Sequence, residues 1–66
     1  MTVRDLETEW PSVRHAAQDR WDKLTSEDLD EIQGRPDRLV RRLQERYGFP
    51  RQIVLAEIGD FLAHAR

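Results

Sequence analysis

Apolar residues return at helical spacing along this chain, and no stretch shows the strict alternation of a half-buried strand. Trp10, Val13, Ala17, Trp21 and Leu24 share one face of a helix predicted over about 9–24, with Thr8 as its cap. A second, brief helix is predicted over 26–33 on the anchors Leu29 and Ile32. Thr25 and Asp28 are spaced as a capping box, and Leu24 and Leu29 as a hydrophobic staple. Leu39, Val40, Leu43 and Tyr47 stripe a third helix over 36–47. Val54, Ile58, Phe61 and Ala65 line a fourth over 50–65, which Ile53, Leu55 and Leu62 widen. Pro11, Pro36 and Pro50 sit near helix starts, where a missing N–H has no intrahelical partner to lose. Gly34 and Gly48 sit just past helix ends, where the backbone turns left-handed. The expected fold is all-α, a single-domain bundle of three to four short helices. Its core and turns are Trp10, Trp21, Leu29, Ile32, Gly34, Leu39, Leu43, Tyr47, Gly48, Ile58 and Phe61. Residues 1–8 are expected to be a frayed, acidic lead-in, with room for a short helical turn, to a helical domain over 9–66.

Composition narrows the function classes. At 66 residues the chain makes one domain at most. Such a domain buries only ~60% of the surface exposed by its unfolded form, too little to enclose a deep active site. No cysteine is present, so disulfides and thiolate metal sites are excluded. No apolar run approaches the roughly 20 residues that span a bilayer. The opening residues lack the apolar core of a signal peptide. These points predict a soluble, cytoplasmic protein that does not engage a membrane.

Charged residues make up 36% of the chain, yet the net charge is only −2. The balance hides a segregation. Glu27, Asp28, Asp30 and Glu31 crowd the second helix, where they favour the positive end of its dipole. Arg35, Arg38, Arg42 and Arg46 run along one side of the third, with Arg41 and Arg51 nearby. Guanidinium groups in such a row suit phosphate oxygens, so this is a candidate anion patch. The competing reading is a solvated face paired with Asp37, Glu45 and the acidic helix. An overall acidic chain favours the pairing. Trp10, Trp21 and Tyr47 are read as core, since a small domain needs their buried area more than it needs base-stacking platforms.

Catalytic constellations are not evident. Ser12 and Ser26 lack a histidine partner in sequence, and His15 and His64 lie near opposite ends without a metal-ligand motif. No enzyme activity, metal, cofactor or small-molecule ligand is expected. The apolar excess of the last helix nominates Ile53, Leu55 and Leu62 as a face for a protein partner or a second copy. Residues 1–6 folding back over that face is the alternative.

Three blocks carry a family resemblance: Trp21-Asp22-Lys23-Leu24-Thr25-Ser26-Glu27-Asp28-Leu29-Asp30-Glu31-Ile32-Gln33-Gly34, Asp37-Arg38-Leu39-Val40, and Leu43-Gln44-Glu45-Arg46-Tyr47-Gly48-Phe49. With Trp10 upstream, they resemble the CsbD-like family from Trp10 to Phe61. The resemblance implies a small helical bundle of bacterial, cytoplasmic origin, abundant under stress. It carries over no catalytic residue or cofactor. Three features depart from the family pattern. Phe61 replaces a tryptophan, Lys23 is the only lysine, and Ile53 and Leu55 stand where members are more polar. The expected role is therefore non-enzymatic and protective or protein-interacting in the stress response. The alternative is a weak nucleic-acid-associated accessory protein that uses the arginine stripe.

Overall fold

The computed structural model describes residues 3–64 and contains five helices among them: α1 (Val3–Thr8), α2 (Trp10–Arg20), α3 (Ser26–Ile32), α4 (Pro36–Tyr47) and α5 (Arg51–His64). Among the described residues the class is all-α, with one more helix than predicted. They share one core: Leu6, Trp10, Val13, Ala17, Trp21, Leu24, Leu29, Ile32, Leu39, Val40, Leu43, Val54, Ile58, Phe61 and Leu62 are all buried. Tyr47, expected in the core, is only half-buried and packs at its rim with Phe49.

The segment expected to fray, with at most a short helical turn, is a helix over Val3–Thr8, and its Leu6 is completely buried. Met1 and Thr2 lie outside the described residues. The break between α1 and α2 falls at Glu9, two residues before Pro11, which has no N–H to continue the helical ladder. Thr8 is not the cap of α2. Its hydroxyl donates back to the Arg4 carbonyl at 3.4 Å, and Glu9 occupies the cap position without a side-chain hydrogen bond. Gly34 holds α1 in place from below. It has φ +78°, and a Cβ there would lie 2.5 Å from the Leu6 carbonyl oxygen, so α1 rests directly on the α3–α4 turn. The described part of residues 1–6 therefore packs on that turn, and Ile53 and Leu55 of α5 remain half-exposed.

The first predicted helix is also too long at its far end. The chain leaves helical geometry at Trp21, with φ −121° and ψ 80°. Long-range and side-chain bonds hold the peptides that follow. The Lys23 N–H donates to the Tyr47 hydroxyl at 3.2 Å, and the Gln18 amide donates to the Leu24 carbonyl at 3.4 Å. This turn lets both Trp21 and Leu24 point into the core while reversing the chain into α3.

Helix α3 starts as predicted. Thr25 Oγ1 accepts from the Asp28 N–H at 3.1 Å, and Asp28 Oδ2 accepts from the Thr25 N–H at 3.0 Å. It ends one residue early, because Gln33 takes the left-handed cap at φ 49°, ahead of Gly34. Helix α4 has its predicted bounds, with Pro36 first and Gly48 as a left-handed cap at φ 70°. Pro50 caps α5 by accepting the Ile53 and Val54 N–H bonds, so that helix begins at Arg51. Ala65 of its predicted stripe lies outside the described residues.

Candidate functional site

The nominated anion patch can be built from α4 upward. The stripe does share one side of the helix, but that side faces α3. Arg46 grips Asp28 with two bonds, Nε to Oδ2 at 2.8 Å and Nη2 to Oδ1 at 2.9 Å. Arg42 pairs with Glu31, with Glu45 at 3.1 Å and, more distantly, with Asp28 at 3.8 Å. Arg38 donates to the Glu31 carbonyl at 3.0 Å, in the last turn of α3, where a cation suits the helix dipole. Arg35 lies 3.9 Å from Glu7 of α1. Arg42 and Arg46 therefore serve as clasps between helices, and their capacity for an external phosphate is largely occupied.

Asp28 is the centre of this network and is only 3% exposed. The paired Arg46 bonds hold its carboxyl down at about 2. Burial opposes this, and the Thr25 N–H and Arg46 charge assist it. In return, Asp28 pushes Arg46 up from its ordinary value, and Glu31 does the same for Arg42. From sequence Asp28 reads as a helix cap and as one of four acids that could face the arginine stripe. Its second role depends on an arginine 18 positions away, and no local signal points to that pairing.

The nominated partner face divides in the structure. Leu62 turns inward and is 9% exposed, so it is removed from that face. Ile53 and Leu55 are each 47% exposed, with fully buried Val54 between them. Two residues along a helix are about 200° apart. Ile53 and Leu55 therefore occupy opposite shoulders of α5 and do not merge into one patch.

The tryptophans are core residues. Trp10 donates its indole N–H to the Leu29 carbonyl at 3.0 Å, tying α2 to α3. Trp21 packs on Phe61 at 5.0 Å between centroids, and Arg20 lies 5.7 Å from its ring. Tyr47 stacks on Phe49 at 5.3 Å and donates to Asp22 at 3.4 Å. The sole lysine, Lys23, sits 5.0 Å from the Tyr47 ring.

Each histidine has an aspartate one helical turn away, a pairing that the sequence reading missed. His15 is 3.6 Å from Asp19, and His64 is 3.6 Å from Asp60. No group of three or more His, Asp and Glu side chains is arranged to hold a metal ion among the described residues. Open depressions indent the surface of the described residues. One of about 380 Å³ is lined by Glu7, Trp10, Pro11, Arg14, Asp30 and Gln33. Another, of about 340 Å³, is lined by Ala16, Asp19, Arg20, Phe61 and His64. Ser12 and Ser26 line neither. No helix among the described residues is long and apolar enough to cross a membrane.

No family model matches the chain, and no solved structure matches it significantly. Curated proteins do. A UPF0337 protein of Pectobacterium atrosepticum is 38% identical over 55 residues, covering 83% of this chain and 80% of its own length. A UPF0337 protein of Protochlamydia amoebophila is 33% identical over 61 residues, 92% of each chain. The UPF0337 protein YjbJ of Escherichia coli is 35% identical over 52 residues, 79% of this chain and 75% of its own. Identity at this level over most of each chain accompanies the block pattern from Trp10 onward, and the chain belongs to the UPF0337 family, the CsbD-like proteins.

Proposed function

We propose that the protein is a non-enzymatic component of the bacterial stress response that acts by contact with other proteins, in a protective or interaction role in the cytoplasm. The observation that carries this reading is α5. On a chain with 36% charged residues, it leaves Ile53 and Leu55 half-exposed on both sides of its buried face. Scattered exposed apolar residues are ordinary, and these two lie on opposite shoulders, so a partner using both must reach around α5. Membership of the CsbD-like family supports the bacterial setting, and the stress role rests on the resemblance to that family. The nucleic-acid alternative is weakened by the clasps that Arg42 and Arg46 form with α3.

The test compares the wild-type chain with an Ile53→Glu, Leu55→Glu variant in suppressing light scattering by a heat-labile reporter enzyme. A gel shift with single- and double-stranded DNA at low salt runs alongside. The expected result is suppression by the wild type, its loss in the variant, and no shift. Equal suppression by both proteins would remove α5 from the reading. A shift that fades steeply with salt, without suppression, would replace it with the phosphate-binding alternative.

A further inference from the structure

We propose that α5 is a releasable element: it swings away from α1–α4 on a hinge at 48–50, as a partial opening that requires less free energy than complete unfolding. This would uncover Val54, Ile58, Phe61 and Leu62 beside Ile53 and Leu55. The proposal rests on its own observations and stands whether or not the exposed helix then docks on a partner.

Four features set α5 apart. First, among the described residues the polar bonds between α5 and another helix all belong to Arg20, which reaches Glu57 at 3.5 Å and Asp60 at 2.9 Å. These are solvent-facing pairs of the kind that contribute little. Two other seams each hold a buried polar tie, whereas Arg14–Asp30 is an exposed pair like those of Arg20. Asp28 locks α3 to α4 through Arg46, and the buried Trp10 indole ties α2 to α3 through the Leu29 carbonyl.

Second, the hinge allows the movement. Gly48 at φ +70° would have open space around a Cβ, and its N–H already bonds within the α4 ladder, to Gln44. Pro50 has no N–H. Swinging α5 therefore breaks no backbone hydrogen bond to α4, and Phe49 can keep its stack on Tyr47 as an anchor.

Third, the seam between α2 and α5 holds an unmet need. The Trp21 indole N–H is buried and has no acceptor among the described residues. A buried donor without a partner is destabilising, and hydration on opening relieves it. Trp21 is also the residue that packs on Phe61, so separating α5 uncovers the ring that carries this donor. The depression lined by Arg20, Phe61 and His64 lies on the same seam.

Fourth, Gly59 lies exposed in the middle of α5, where a Cβ would meet nothing, so the packing does not require a glycine there. An interior glycine weakens a helix relative to alanine. All four features lower the free energy of opening at α5 and leave α3 and α4 untouched, the uneven stability that produces partial opening.

Native-state hydrogen exchange, read residue by residue on the full chain at several urea concentrations below the unfolding transition, tests this. The Ile58, Phe61 and Leu62 amides should exchange on the order of tenfold faster than those of Leu39 and Leu43, with a weaker urea dependence. Arg20→Ala should speed α5 exchange by roughly two- to fivefold without moving α4. Gly59→Ala should slow it by roughly two- to fivefold. Equal rates and equal urea dependence for α4 and α5 in the wild type would overturn the proposal. So would a change in α4 exchange matching that in α5 when Gly59 is replaced, a comparison that holds even if the arginine variant fails to fold.

Discussion

Replacing Gly34 with alanine isolates how α1 is held. The new Cβ would sit 2.5 Å from the Leu6 carbonyl oxygen, 2.6 Å from the Glu7 Cα and 2.9 Å from the Leu6 carbonyl carbon. All three are backbone atoms, so no rotamer change can relieve the clash. The left-handed backbone at φ +78° adds a second penalty, about 1–2 kcal/mol for a residue with a side chain. Relief requires α1 to lift off, which exposes Leu6, and burying a leucine contributes about 1.5–3 kcal/mol. Together these predict a loss of about 2.5–5 kcal/mol. A domain of this length has on the order of 3–10 kcal/mol to lose. Gly48→Ala provides the matched control. It has the same left-handed backbone, at φ +70°, with nothing near the new Cβ, so only the conformational penalty of about 1–2 kcal/mol remains. Urea denaturation followed by circular dichroism measures both variants. Adding Leu6→Ala should cost far less in the Gly34→Ala background than in the wild type, because the leucine is already out. If the two glycine variants lose equal stability, α1 is not seated on the turn and the reasoning fails.

Other perturbations probe the remaining contacts. Asp28 titrates at about 2 in the folded chain against 3.8 ordinarily, so its stabilisation is full above pH 4 and is lost as pH falls toward 2. Asp28→Asn should flatten that part of a pH–stability profile and cost about 1.5–3 kcal/mol at neutral pH, the range for hydrogen bonds to a charged group. Trp10→Phe removes a made hydrogen bond, whereas Trp21→Phe removes an unmet donor. Thermal unfolding should therefore find the Trp21 variant the more stable of the two by on the order of 1–3 kcal/mol. Thr25→Ala opens the capping box and should cost about 1 kcal/mol by denaturant titration; a silent substitution would show that the tertiary contacts of α3 make its cap redundant.

Legibility followed the range of each interaction. The stripe Leu39, Val40, Leu43 with Pro36 and Gly48 at its ends located α4 exactly where it lies, because caps and periodicity act within a few residues. The same reasoning carried the first helix past Arg20, since Trp21 and Leu24 keep helical spacing. What ends that helix early is a turn held partly by Tyr47, 24 positions from Lys23. Leu6 looked like an isolated apolar residue in an acidic segment, and only its seat above Gly34 makes α1 a helix worth forming. At the candidate sites, the charge segregation between α3 and α4 was visible in the sequence. Which arginines it would occupy was not. The apolar excess of α5 is legible in the sequence, but its division is not: Ile53 and Leu55 are half-exposed, whereas Leu62 turns inward.

Local sequence thus determined the helical class, the N-cap of α3, the ends of α4, and the opposition of acid to arginine, because backbone hydrogen bonds and capping side chains reach three or four residues. Tertiary structure decided the rest: where α2 stops, that α1 docks, that Arg46 closes on Asp28, and which side of α5 faces water. Those choices were made by burial of Leu6 and the two tryptophans and by ion pairs across helices. Their partners are distant in the chain and meet only once the core has formed.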